Sequence, residues 1–156
     1  MITNELPKYK MTNWFECKVV FDRAIDSETM EKVREVYLVD ALSFAEAENR
    51  ITEEMTPFIY GEFLVDSIKR QKYVDRYESD LSSPDRYFKA KIQYVTLDEK
   101  SGKEKKTSSL VLVHASTSDE ALRVIEKVMS GTTMEYSVPE VKETPILDVF
   151  EYSSVL

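Results

Sequence analysis

One block of sequence occurs twice in this chain. Trp14-Phe15-Glu16-Cys17-Lys18-Val19-Val20-Phe21 returns 73 positions on as Tyr87-Phe88-Lys89-Ala90-Lys91-Ile92-Gln93-Tyr94. Leu38-Val39-Asp40-Ala41 returns 74 positions on as Leu112-Val113-His114-Ala115. At that second offset Ser43, Glu46, Ala47, Ile51 and Met55 return as Thr117, Glu120, Ala121, Ile125 and Met129. A repeat constrains architecture strongly, because each copy must solve the same burial problem. Copies of about 70 residues are marginal alone, so a shared core is expected rather than two independent beads. Nothing in the repeat specifies chemistry.

The copies read as β-β-α-β. Phe15, Cys17, Val19 and Phe21 alternate with Trp14, Glu16, Lys18 and Val20, so a strand buries the first set and turns the second away. Phe88, Ala90, Ile92 and Tyr94 repeat the inward set, leaving Tyr87, Lys89, Lys91 and Gln93 outward. Turns follow at Asp26-Ser27-Glu28 and at Asp98–Lys103, where Gly102 tolerates positive φ. Second strands are expected near Lys32–Asp40 and Thr107–His114. Their centres are apolar on both sides, as in strands covered on two faces.

Ser43 with Glu46, and Thr117 with Glu120, have capping-box spacing and mark helix starts. The helices are expected to bury Phe44, Ala47, Ile51 and Met55, then Ala121, Leu122, Ile125, Val128 and Met129. Thr56-Pro57 and Gly131 end them. A third strand closes each copy, with Val65, Ile68, Lys69, Tyr73, Asp75 and Tyr77 matched by Val138, Val141, Lys142, Ile146, Asp148 and Phe150. The step from Val65 to Ile68 breaks the alternation and predicts a bulge near Ser67 and Glu140. Pro139 and Pro145 place the last strand at an edge or interrupt it.

The expected fold class is α+β. It consists of two tandem β-β-α-β repeats with pseudo-twofold symmetry, mostly antiparallel sheet, and one helix per repeat. Residues 1–12 form an N-terminal arm, 13–78 the first repeat, 79–86 a connector and 87–152 the second repeat, with 13–152 one compact domain. The sheets either join edge to edge or pack through their helix-free faces, where Trp14, Tyr87, Leu38 and Leu112 are available.

Charge narrows the partners. Against 21 Lys and Arg stand 29 Asp and Glu, a net −8 that opposes non-specific phosphate binding. No long apolar run or charged-then-apolar leader is present, so neither membrane spanning nor export is expected. One cysteine cannot form an internal disulfide, which fits a reducing cytoplasm.

The segments Met11–Lys18, Tyr37–Phe44, Glu53–Ile59 and Thr96–Gly102 resemble a family of proteins of unknown function, the domain of unknown function 4494 family. That family is met in gut Bacteroidota and in their phages and mobile elements. The resemblance runs over roughly residues 11–152. It implies no activity, ligand or catalytic residue, and it suggests that Met11 is an alternative start.

Candidate chemistry is sparse. His114 is the only histidine and Cys17 the only cysteine, so triads and His/Cys metal sites lack partners. Three glycines leave no phosphate-cradling loop. Glu53-Glu54 and Asp98-Glu99 read as solvated surface, and the matched Asp75 and Asp148 as structural hydrogen-bond acceptors. No catalytic residue, cofactor, metal or small-molecule ligand is expected.

The remaining feature is the outward face of the two first strands: Trp14, Lys18, Tyr87, Lys89 and Lys91, which Lys69, Arg70 and Lys72 extend. Such a face suits contact with another protein or a second copy. Alternatively, aromatics interleaved with lysines stack single-stranded nucleic acid. The expected function is therefore non-enzymatic binding.

Overall fold

The computed structural model describes residues 13–151. The arm expected at residues 1–12, with Met11, lies outside the described residues. Among the described residues the chain is α+β. In order it forms β1 (Trp14–Ala24), β2 (Met30–Asp40), α1 (Phe44–Met55), β3 (Phe63–Gln71) and β4 (Tyr73–Glu78). Then come β5 (Arg86–Leu97), β6 (Glu104–Ala115), α2 (Ser118–Met129), β7 (Glu135–Glu143) and β8 (Ile146–Phe150).

Two four-stranded sheets result, ordered β3-β1-β2-β8 and β4-β6-β5-β7. Strand pairs are antiparallel except β2 with β8 and β4 with β6. The expected third strand is in fact two strands. After Gln71 the chain bends at Lys72 and enters the other sheet as β4. After Glu143 it bends at Thr144-Pro145 and enters the first sheet as β8. Each sheet thus has four strands rather than three, and its fourth comes from the other half of the chain.

The local reasons are visible. Pro145 lacks an N–H and cannot continue a ladder. Thr144 donates both its backbone N–H and its hydroxyl to the Tyr87 carbonyl, at 2.9 and 2.8 Å. Tyr73 turns inward and is buried.

Both expected bulges are present. Lys18 pairs with Ser67 but Val19 with Val65, which leaves Asp66 outside the ladder. Lys91 pairs with Glu140 but Gln93 with Ser137, so Val138 and Pro139 together oppose Ile92. Pro139 lies on β7, an edge strand where a missing donor costs least, and Pro145 lies outside the strands, just before β8.

Side-chain alternation divides burial among three clusters. Phe15, Cys17, Val19, Tyr37 and Val39 pack on α1 through Ala47, Ile51 and Met55. Phe88, Ala90, Ile92, Val111 and Val113 pack on α2 through Ala121, Val124 and Ile125. The opposite faces meet each other. Val36, Leu38, Tyr73, Tyr87, Leu112 and Ile146 form a third cluster with Trp14, Leu110 and Val149 against it. The sheets therefore pack through their helix-free faces, using all four residues the sequence offered for that contact.

The helices depart from expectation in detail. Phe44 is half exposed and meets Phe15 edge-on at 4.9 Å. On α2, Val124 is buried and Val128 is exposed. Ser43 Oγ accepts from the Glu46 N–H, and Thr117 Oγ1 from the Glu120 N–H, each at 3.1 Å. Both returning carboxylates bond one residue earlier than the N-cap: Glu46 accepts from the Leu42 N–H and Glu120 from the Ser116 N–H.

Candidate interaction surface

The aromatic half of the surface read from sequence lies inside the protein. Tyr87 retains 6% exposure and Trp14 packs against the inter-sheet cluster. Alternation correctly turned both rings away from the helices, but the other sheet covers that side. Tyr87 stacks on His114, whose Nδ1 lies 2.8 Å from Glu78 Oε1. Tyr87 is therefore closed to a base, and Trp14 is partly covered.

The cationic half is divided. Lys18, Lys89 and Lys91 are half-buried on the facing sides of the sheets. Lys91 joins Lys72, Val74, Ser108, Ser109 and Leu110 around a depression of about 410 Å³. Lys69 is exposed. Arg70 lies over the rings of Phe15 and Phe44, at 5.3 and 5.7 Å, a cation–π position that ties it to the α1 side.

The other polar candidates have structural roles. Asp98 accepts from the Lys100 N–H and the Ser101 hydroxyl and closes the β5–β6 turn. Asp75 accepts from the Arg76 N–H at 3.0 Å, and Asp148 from the Val149 N–H at 2.8 Å. Cys17 is fully buried, and desolvation first, then the Glu16 charge, pushes its thiol up to about 12. Among the described residues no group of three or more His, Cys, Asp or Glu could hold a metal ion. Among them, too, no helix is long and apolar enough to cross a membrane.

A surface that the sequence reading passed over is apolar and exposed. The loop after α1 carries Phe58 at 78% exposure and Tyr60, which is fully exposed. Gly61 turns the chain there with φ +97°. Leu64, 70% exposed, follows at the start of β3 and pairs across to Val20 on β1. Val20, Leu64 and Phe63 line a depression of about 510 Å³ with Asp22, Lys32 and Glu62 at its rim.

The second sheet makes the same kind of pair without apolar side chains. Just past its own bulge, β5 and β7 align Gln93 with Ser137. The loop after α2 has Thr132 and Thr133 where the first has aromatics, together with one half-exposed methionine, Met134. Two sheets of similar build thus differ in what they show to solvent at one place. The signal in the sequence is polarity: Val20 and Leu64 are apolar where Gln93 and Ser137 are polar.

Fold and surface together define a two-sheet α+β protein with an exposed apolar patch around Tyr60 and Leu64. The chain belongs to the family described as Domain of unknown function (DUF4494), which matches it over residues 13–152. No curated protein and no solved structure matches it.

Proposed function

We propose that this chain is a tandem duplication of a β-β-α-β unit with pseudo-twofold symmetry, and that it is a non-enzymatic binding protein. Its docking face is the Tyr60–Leu64 patch of the first sheet, and its first partner is a second copy of itself. One observation carries the reading: Val20 and Leu64 occupy a cross-strand position where the other sheet has Gln93 and Ser137. The fold therefore does not need apolar side chains there, and exposed apolar clusters mark contact surfaces.

The rim favours self-contact, because Lys32 on one copy can face Asp22 or Glu62 on another across a twofold axis. A buried, unreactive cysteine is in keeping with work in the reducing cytoplasm. Single-stranded nucleic acid is the second reading. It rests chiefly on Lys72 and Lys91, since Tyr87 is buried and Trp14 partly so.

Sedimentation equilibrium tests the first reading. The wild type should form a dimer at micromolar concentration. Val20→Gln with Leu64→Ser, which gives the first sheet the pair found in the second, should be a monomer with an unchanged melting temperature. A wild type that stays monomeric at about 100 μM, weaker than specific pairing gives, would remove self-association. Equal dimerisation by the variant would remove the patch.

A further inference from the structure

Two strands leave part of an edge open. β8 covers β2 only from Val36 to Val39, and β4 covers β6 only from Leu110 to His114. Met30–Glu35 and Glu104–Ser109 therefore have a ladder on one side only among the described residues. An open edge is a template for another strand.

The two edges differ in charge. On β2 the open stretch is balanced, with Glu31 and Glu35 against Lys32 and Arg34, and Glu31 is already paired with Arg23. On β6 it holds Lys105 and Lys106 against Glu104, and the depression at its end adds Lys72 and Lys91. No carboxylate lines that depression, in a chain with net charge −8. These four lysines form no ion pair among the described residues, and Glu140, opposite Lys91 across the β5–β7 ladder, does not engage it.

Backbone direction fixes what the edge offers. Ser79 N–H donates to the His114 carbonyl across the β4 side of β6. Peptide groups alternate sides along a strand, so Lys106 and Ser108, an even number of residues from His114, turn their N–H and C=O to the open edge. Lys105, Thr107 and Ser109 turn theirs to β5.

We propose that the open edge of β6 binds an extended acidic peptide as an added strand, end to end with β4, its carboxylates meeting Lys72, Lys91 and Lys106. Main-chain hydrogen bonds to Lys106 and Ser108 hold the strand, and the lysines select its charge. Lysines along an edge also repel a second copy of the same edge, which leaves it open for an acidic strand. A nucleic-acid strand would use the lysines without the ladder. This site is separate from the Tyr60–Leu64 face and does not depend on it.

The probe is a fluorescein-labelled peptide of alternating Glu and Val, followed by anisotropy at about 50 mM salt, where screening is modest. Saturable binding is expected, weakened about tenfold by Lys72→Glu with Lys91→Glu, the scale of two charge contacts at a protein surface. Bound peptide should slow amide exchange at Lys106 and Ser108 and leave Lys105 and Thr107 unchanged. Ser108→Pro removes one edge donor where proline is tolerated and should also weaken binding. Equal binding of an alternating Lys and Val peptide, or no binding, overturns the proposal. So does displacement by a mixed-sequence single-stranded DNA with no change in exchange at Lys106 and Ser108.

Discussion

The ring of Tyr87 lies flat on that of His114, its cross-strand neighbour, with centroids 4.2 Å apart and planes 3° from parallel. The pair sits where the two sheets meet, and His114 is fixed from the other side by Glu78 on β4. Tyr87 also anchors the second bend, because its carbonyl takes both bonds from Thr144. One residue thus joins the inter-sheet core to the point where the chain changes sheets.

Tyr87→Ala should therefore cost about 3 kcal/mol in chemical denaturation, the range of a large buried aromatic. His114→Ala should cost less, since its ring is part exposed. A double-mutant cycle should return a coupling of about 1 kcal/mol, the scale of a stacked pair beyond its area. A coupling near zero would mean the rings lie together without attracting each other.

Cys17 gives a chemical test of the α1 cluster. The thiol is fully buried between β1 and α1, and desolvation pushes it up to about 12. Only a thiolate attacks a disulfide reagent, so native protein at pH 8 should be inert to one and should react fully once unfolded. Fast labelling of the native state would show that β1 opens readily from the helix. Cys17→Ala should be mild, because Ala90 fills the matching place beneath α2.

These elements were not equally legible in the chain. The inward sets of β1 and β5 could be read because alternation is a local property, and the step from Val65 to Ile68 gave away the bulge. The crossing of β4 and β8 could not. Tyr73-Val74-Asp75 pairs equally well on paper with either sheet, and which one it joins depends on a contact with Leu110, far along the chain. Trp14 and Tyr87 fit two readings, an open binding face or the contact between sheets, for a related reason. Alternation says which side a residue takes, not whether another layer covers that side. Tyr60 and Leu64 were not legible because no local pattern marks them: an apolar residue in a loop or at a strand start reads as core until its exposure is known.

Glu120 is a carboxylate bound into the fold at the start of α2. It accepts from the Ser116 N–H and from the Ser82 hydroxyl at 3.1 Å, drawing the 79–85 segment onto the start of α2. Those bonds, the Ser116 N–H first, hold its carboxyl below the usual carboxylate range. A group with a folded pKa below its unfolded value of about 4.3 adds stability above that value and loses it as pH falls through the folded one. Glu120→Gln should thus lower the melting temperature at pH 7, and the gap to wild type should narrow as pH falls below the unfolded value and through the lowered folded one. Asp26 and Asp80 are lowered in the same direction, so wild type itself also weakens in acid, and the difference between the two curves isolates Glu120. Thr117→Ala, which removes the neighbouring N-cap oxygen, should cost about 1 kcal/mol at every pH. A Glu120→Gln deficit that stays constant from pH 7 to about 3 would mean the side chain acts through its shape and not its charge.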